Sequence, residues 1–279
     1  MEKVGEKKGN SCLDFEISKK ILPKSKRSQV TIFIIIALVI VALVVLIFLI
    51  YPKIKSTTTS SEENPYSFMQ SCLQNKLQES VDLVSSQGGS ISPEKYYLYN
   101  DSKIDYLCYT NEYYKPCVVQ QPFISSHIEA EINDNIKSDI NTCLTNLQNN
   151  FQKKGYTVNL KRGISTVELL PKRVVARTNS TLTLTKGNSQ SYNEFNIILN
   201  NNLYELASIA SSIIKWETNY GDAETTLYMT YYKDLKVEKY KQSDGTKVYI
   251  LTDRNTGNKF QFATRSVAWP SGYGTGETV

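Results

Sequence analysis

The sequence predicts an α+β domain on a single N-terminal transmembrane helix, and three observations lead to that prediction. Residues 30–50 form one uninterrupted apolar run, and about twenty helical residues cross the roughly 30 Å hydrocarbon core of a bilayer. Two later segments carry apolar residues at three- and four-residue spacing, which is typical of amphipathic helices. Most of the remaining segments alternate apolar and polar residues, which is typical of strands with one buried face.

The basic residues around the apolar run predict its orientation. Residues 1–28 hold eight Lys and Arg residues, whereas only Lys53 and Lys55 follow the run before a Ser/Thr-rich stretch begins. Because Lys and Arg beside a span resist translocation, we expect the N-terminus in the cytoplasm and the bulk of the chain outside. The run is longer than the core of a cleaved signal peptide, so we expect a retained single-pass anchor in the cell membrane, with the lipid bilayer as a partner.

The expected segments are a cytoplasmic basic segment at 1–29, the span at 30–50, a Ser/Thr-rich stalk at 51–65, an extracytoplasmic α+β domain at 66–269 and a disordered tail at 270–279.

The net charge of +5 belongs to the N-terminal segment. Residues 1–55 hold ten of the 32 basic and four of the 27 acidic residues, so the rest of the chain is nearly neutral. A domain that binds nucleic acid carries a basic face. We therefore expect no nucleic acid partner.

The extracytoplasmic domain is expected to contain two long helices and a largely antiparallel sheet. The first helix ends at the Gly88-Gly89 pair, and the second occupies 122–154,. A further helix is expected around 201–219, and the helices are expected to cover one face of the sheet. Division into two subdomains near residue 155 is an alternative to one domain.

Cysteine positions predict two disulfides. Cys12 precedes the apolar run, whereas the other four cysteines, Cys72, Cys108, Cys117 and Cys143, follow it. Outside the cytoplasm, four cysteines without metal-like spacing favour two disulfides, and three connectivities are formally available. We favour Cys108 with Cys117, which would staple a hairpin, and Cys72 with Cys143, which would join the two long helices. Free buried thiols are the alternative.

A cluster of tyrosines is the candidate contact face. Seven of them fall between residues 96 and 114, namely Tyr96, Tyr97, Tyr99, Tyr106, Tyr109, Tyr113 and Tyr114. Tyrosine offers a large amphipathic contact area with few rotatable bonds, which favours an adhesive face. The competing interpretation is that Tyr is simply a good strand residue. Two sequons, at Asn100 and Asn179, are candidate glycosylation sites in solvent-facing loops,.

No catalytic, cofactor-binding or metal site is predicted. His127 is the only histidine, and a lone helical histidine without a nucleophile motif is more often structural than a general base. A His/Cys metal cluster is excluded by count, and Glu129, Glu131 and Asp134 lack the spacing of a calcium loop. Phosphate-binding and nucleophile-elbow motifs are absent from the sequence. Paired carboxylates need no local motif, so an envelope hydrolase is kept as a remote alternative.

The start of the apolar run carries a resemblance to a known family. Residues 26–33, KRSQVTIF, followed by an aliphatic helix, resemble the class III signal segments of archaeal type IV pilin-like proteins. In that family a basic and a small residue precede the cut, Gln begins the mature chain, and a hydroxyl residue follows two positions later. Ser28, Gln29 and Thr31 match, whereas Phe33 stands where the family has Glu. The resemblance implies processing between Ser28 and Gln29 and self-assembly.

A looser resemblance extends over the first half of the chain. The same segment, together with Ser71-Cys72-Leu73 and Gln87-Gly88-Gly89, is similar to an uncharacterised group of anchored surface proteins from small-genome archaea. That resemblance implies a cell-surface location and no particular activity.

These observations lead to a function that is not enzymatic. We expect a membrane-anchored cell-surface protein, either adhesive or pilin-like, whose partners are copies of itself or a surface protein or glycan. The alternative is a fixed receptor or envelope-scaffolding module, which Phe33 favours over a filament subunit.

Overall fold

The structure is a computed structural model that describes residues 28–50 and 64–267, with side chains described for 33–45 and 64–266. The chain divides into two compact units, Met1–Ser61 and Glu62–Val279. The predicted cytoplasmic segment up to residue 27, the stalk from 51 to 63 and the tail at 270–279 lie outside the described residues.

The first unit contributes one helix, α1, at Ser28–Ile50. Its large apolar side chains are exposed wherever they are described, from Phe33 to Val45. Among the residues that the structure describes, no helix combines the length and the apolar character that crossing a membrane requires. The predicted transmembrane helix at 30–50 is therefore a wrong prediction.

Four helices belong to the described part of the second unit. They are α2 at Pro65–Ser86, α3 at Ile124–Lys153, α4 at Leu203–Tyr220 and α5 at Thr226–Tyr231. The Asn64 side chain accepts the Tyr66 N–H at 3.0 Å and caps α2, with Pro65 in the first turn,. The two long helices and the further helix near 201–219 are confirmed, because their apolar residues repeat at the helical period and are buried,.

The first sheet combines strands from both ends of the second unit. Its strands are β1 at Tyr96–Tyr99, β2 at Ser102–Tyr113, β3 at Val118–Val119, β8 at Leu235–Lys241, β9 at Thr246–Asp253 and β10 at Lys259–Val267. Their order is β1-β2-β10-β9-β8, and β3 pairs with β2. The β2 and β10 strands are parallel, whereas the other pairs are antiparallel.

The second sheet is antiparallel and is built around one long strand. Its strands are β4 at Thr157–Lys161, β5 at Ser165–Leu170, β6 at Arg173–Lys186 and β7 at Asn188–Asn200. The β6 strand pairs with β7 along one edge and with β5 and then β4 along the other. At the break between β4 and β5, a Cβ on Gly163 would lie 2.0 Å from the Asn179 carbonyl oxygen, so this crossing requires glycine.

The sheet arrangement corrects the prediction. We expected one largely antiparallel sheet, and the structure has two sheets, one of them mixed. The reason is that β2 and β10 are more than 140 residues apart, so their parallel pairing depends on tertiary packing rather than on local alternation,.

One hydrophobic core extends through the second unit. It includes apolar residues of α2, α3 and α4 together with residues of both sheets. The α2 helix contacts β7 of the second sheet and β10 of the first, and α4 contacts strands of both. The helices thus link the two sheets.

Candidate functional site

Two disulfides cross-link the second unit. Cys72 of α2 is bonded to Cys143 of α3, and Cys108 of β2 is bonded to Cys117 beside β3. This is the connectivity that the sequence favoured, and it leaves none of the four thiols free. Because disulfides form and persist in oxidising compartments, the chain belongs to an oxidising, extracytoplasmic environment.

The seven tyrosines of the predicted contact face do not share one surface. Four of them, Tyr97, Tyr99, Tyr106 and Tyr109, gather on a small apolar cluster of the first sheet that is separate from the main core. The other three lie apart from this cluster: Tyr96 stands against Lys103, and Tyr113 and Tyr114 are 69% and 72% exposed at the end of β2.

The four clustered tyrosines pack against neighbouring residues of the first sheet. The buried Tyr106 hydroxyl shares a hydrogen bond with Thr246 Oγ1 at 2.9 Å, and its ring lies 5.0 Å from the Tyr109 ring. The Lys95 ammonium sits 3.5 Å from the centroid of the Tyr109 ring, a cation–π contact,. These rings pack as strand residues do, which is the competing interpretation of the tyrosine-rich segment.

The single histidine belongs to a hydrogen-bonded junction. His127 Nε2 lies 2.9 Å from Ser90 Oγ, and that hydroxyl donates to Asp105 Oδ2 at 2.7 Å. A Ser-His-Asp triad requires the imidazole between the acid and the nucleophile. Here the hydroxyl is between the two, with its proton directed to the carboxylate. The arrangement joins the turn after α2 to β2 and α3, and it is not a nucleophile activated by histidine.

Two acidic residues of α3 also have a structural role, because they accept hydrogen bonds from the backbone. Glu129 Oε1 accepts the Leu169 N–H at 2.8 Å, and Glu131 Oε2 accepts the Ile91 N–H at 2.7 Å. Within residues 28–50 and 64–267, no group of three or more His, Cys, Asp or Glu side chains is arranged to hold a metal ion.

A buried network of charges ties the end of α4 to the first sheet. Lys247 Nζ lies 2.6 Å from Glu217 Oε2, and the two side chains are 7% and 0% exposed. Glu217 Oε1 accepts from the Tyr249 hydroxyl and from the Ala223 N–H. Desolvation and, next, the Glu217 charge raise the pKa of Tyr249 far above its ordinary value, so the phenol stays neutral,. Every oxygen of this carboxylate thus has a partner, which is the pattern of a structural ion pair.

The candidate modification sites lie in α1 and at two positions of the sheets. Ser28 and Gln29 are the first two residues of α1. Asn100 lies in the two-residue turn between β1 and β2 with a positive φ of 46°, and Asn179 lies at the bulge of β6. Both asparagine side chains are exposed. Whether either is glycosylated stays a prediction.

A groove along α4 and α5 was not predicted from the sequence. It consists of two adjoining recesses of about 500 and 480 Å³ that share Ser212, Tyr228 and Tyr232. We call it the aromatic groove after the side chains that line it, which are Tyr204, Trp216, Tyr228, Tyr231 and Tyr232.

The aromatic side chains of the groove are open to solvent. Trp216 is 39% exposed and packs at 4.9 Å against the Tyr220 ring, while Tyr231 is 81% exposed and packs edge-on against Tyr232 at 4.9 Å. Between the recesses, the Tyr228 hydroxyl and Ser212 Oγ share a hydrogen bond of 2.8 Å. Exposed rings held in place by their neighbours are typical of a contact surface.

Polar groups border the first recess. The Lys172 N–H donates to Glu205 Oε1 at 2.9 Å, whereas Glu205 Oε2 is buried and has no hydrogen-bond partner among the described residues. Asp253 Oδ2 accepts from Asn202 at 3.1 Å. The first recess therefore combines aromatic rings with carboxylate side chains at its border,.

The sequence contained a signal for this groove that local periodicity concealed. Residues 226–232, TLYMTYY, are as aromatic as the segment between residues 96 and 114. They fall in a short helix whose side chains all remain partly or fully exposed. Trp216 continues the helical spacing of the apolar residues in α4, which favours a buried position, whereas in the structure its side chain is 39% exposed,.

Comparisons with known proteins give no relative for this chain. No protein-family model matches it, and neither the curated proteins nor the solved structures include a match.

Proposed function

We propose that this chain is a non-enzymatic binding protein of the cell exterior that contacts its partner through the aromatic groove. The observation that carries the proposal is the set of exposed aromatic side chains around two adjoining recesses of about 500 and 480 Å³. Ligand sites are concave and are lined by aromatic residues with a few polar groups, which is the composition of this groove. The polar clusters around Asp105 and around Glu217 form hydrogen bonds and ion pairs within themselves, and these contacts stabilise the fold.

A binding assay on cell envelopes tests this proposal. Beads coated with the full chain are expected to adhere to envelope preparations of the source cells, and the variant Trp216→Ala/Tyr231→Ala is expected to reduce adhesion by at least about tenfold, since aromatic anchors dominate binding energy. The variant Tyr113→Ala/Tyr114→Ala is the matched control, because it removes two exposed aromatic side chains at the end of β2.

The two variants separate the two candidate surfaces. Loss of adhesion in the β2 variant alone would assign the contact to the predicted tyrosine face instead. Equal adhesion of both variants and the unmodified chain would contradict a binding role for either surface.

A second candidate function, pilin-like self-assembly, is favoured by α1. This helix begins at Ser28, beside the predicted processing bond, and its described apolar side chains are exposed. An all-apolar helix surface is normally covered, and other copies of the same helix would cover it. N-terminal sequencing of isolated filaments tests this function: a chain that starts at Gln29 supports it, and a chain that retains Met1 contradicts it.

A further inference from the structure

The aromatic groove presents ring faces and hydrogen-bonding groups side by side. Tyr204 lies on the first turn of α4 beside Glu205, and Trp216 lies three turns further along the same helix. Both recesses contain hydroxyl groups, those of Ser212 and Tyr228, in addition to rings. A ligand that fits such a surface has apolar faces and polar edges in alternation.

The charges around the groove exclude an anionic ligand. Two lysines, Lys172 and Lys233, line the recesses, against four carboxylates, those of Glu205, Glu224, Asp234 and Asp253. A site for phosphate, sulfate or uronic acid groups requires an excess of positive charge. The groove has the opposite balance, so its ligand is neutral or weakly basic.

Glu205 indicates what the ligand must donate. Its Oε1 accepts the Lys172 N–H, and its buried Oε2 has no partner within the described residues although it belongs to a side chain that lines the first recess. A buried carboxylate oxygen without a donor is costly. Because solvent does not reach Oε2, a rotation of the Glu205 side chain has to bring it to the recess, where a hydroxyl group of a ligand would donate a short, charge-assisted hydrogen bond to it,.

We infer that the aromatic groove binds a neutral oligosaccharide that lies across both recesses, an inference that rests on the proposed binding function. The C–H face of a sugar ring is apolar and weakly positive, so it packs on the negative face of an aromatic ring. The hydroxyl groups at the edge of the sugar donate to carboxylates such as Glu205. A chain of sugars can contact Tyr204 and Tyr228 in the first recess and Trp216 and Tyr231 in the second.

A protein partner fits the same groove less well. An amphipathic helix requires a continuous apolar surface, whereas Ser208 and Ser212 on α4 interrupt this one. The alternation of rings with hydroxyls and carboxylates matches a polyhydroxylated ligand.

Fluorescence titration of the full chain tests the inference. The chain has two tryptophans, Trp216 and Trp269, so Trp269→Phe leaves Trp216 as the only tryptophan. The probes are hexasaccharides of β-1,4-linked glucose, β-1,4-linked N-acetylglucosamine and α-linked mannose, with the matching disaccharides, heparin and a decaproline peptide. We expect saturable changes in Trp216 emission with at least one neutral hexasaccharide, about tenfold tighter binding than its disaccharide, and no saturation with heparin.

Two further variants connect the signal to the groove. Calorimetric titration of the hexasaccharide is expected to show about tenfold weaker binding for Tyr231→Ala and for Glu205→Gln, because each removes one contact from a different recess. Tyr231 is 81% exposed, so its replacement leaves the core intact, and Tyr113→Ala is the matched control that should bind like the unmodified chain.

The outcomes separate the ligand class from the binding function. Saturable binding of decaproline without binding of any hexasaccharide would show that the ligand is not an oligosaccharide, while the groove would remain a binding site. Hexasaccharide binding that is equally weakened by Tyr113→Ala would also overturn it. If no probe binds and adhesion to envelopes is insensitive to Trp216→Ala/Tyr231→Ala, both proposals fail.

Discussion

Lys247 and Glu217 carry opposite charges in the interior of the second unit. Their side chains are almost fully buried, and Lys247 also donates to the Gly221 carbonyl at the end of α4. Removing one member of a buried pair leaves the other charge desolvated and unpaired, which costs more than the pair itself contributes.

We therefore expect Lys247→Met to lower the free energy of unfolding by about 3–5 kcal/mol. The double variant Lys247→Met/Glu217→Gln should recover at least half of that loss, since the glutamine amide is uncharged and keeps an oxygen for Tyr249 and Ala223. Urea denaturation at pH 7 measures both variants. A double variant as unstable as the single one would show that lost packing, rather than the unpaired charge, causes the effect.

Asp105 is the acidic residue whose environment opposes ionisation. Desolvation raises the pKa of its carboxyl above the ordinary value of 3.8, and the Ser90 hydrogen bond and the nearby His127 offset only part of that effect. Glu131 of α3 adds a smaller effect in the raising direction. The protonated carboxyl is thus favoured by folding, so its contribution to stability is full below pH 3.8 and is lost as the pH rises through the raised pKa,.

Asp105→Asn should consequently change the pH dependence of stability. Asparagine keeps an oxygen for the Ser90 hydroxyl and does not titrate, so the unfolding free energy of the variant minus that of the unmodified chain should become more positive between about pH 3.5 and pH 7. Urea denaturation at pH 3.5, 5 and 7 measures this difference, with the exposed Asp134→Asn as control. A difference that is constant with pH would contradict a raised pKa of Asp105 in the folded chain.

The helices were predictable because each contains its own signal. Residues from Ile128 to Phe151 in α3 repeat at the helical period and are the buried ones, and Asn64 and Pro65 mark the start of α2,. The cysteines then indicated which helices pack together, since Cys72 and Cys143 lie on α2 and α3. Local periodicity and a cross-link were sufficient for this layer.

The cross-link between α2 and α3 should be the more stabilising of the two disulfides. It joins residues 71 positions apart, whereas the hairpin disulfide joins residues 9 positions apart. The entropy of loop closure predicts contributions of about 4 kcal/mol and about 2.5 kcal/mol. We expect Cys72→Ala/Cys143→Ala to lower the denaturation midpoint in guanidinium more than Cys108→Ala/Cys117→Ala does. The reverse order would show that the hairpin disulfide acts through the packing of β2 and β3.

The strands were only partly predictable, for a physical reason. Alternation located β4 to β7, whose neighbours are close in sequence. It gave no indication that β2 pairs with β10, because a parallel pair has no connecting turn to reveal it. The aromatic groove was missed because its lining residues come from α4, α5 and strand ends that only the tertiary fold brings together.

The chain as a whole was predicted less well at its N-terminal end than in its larger unit. An apolar run of helical length predicts a transmembrane span from sequence, whereas none of the helices in the described residues combines the length and the apolar character that a span requires. In the second unit, the predicted α+β class is confirmed. The packing of the sheets against the helices was not predicted, because it depends on contacts between residues far apart in sequence.

The shared core of the second unit predicts one cooperative unfolding transition. The β2 strand pairs with β10, and α2 packs against both sheets, so neither half before or after residue 155 keeps its core without the other. Elements that share a core open together, with the global free energy of unfolding. Hydrogen exchange of the full chain, followed by mass spectrometry over a urea series, resolves the two halves. Peptides from α3 and from β9 are expected to lose protection at the same urea concentration, and separate midpoints would mean that the alternative boundary near residue 155 divides two independently stable subdomains.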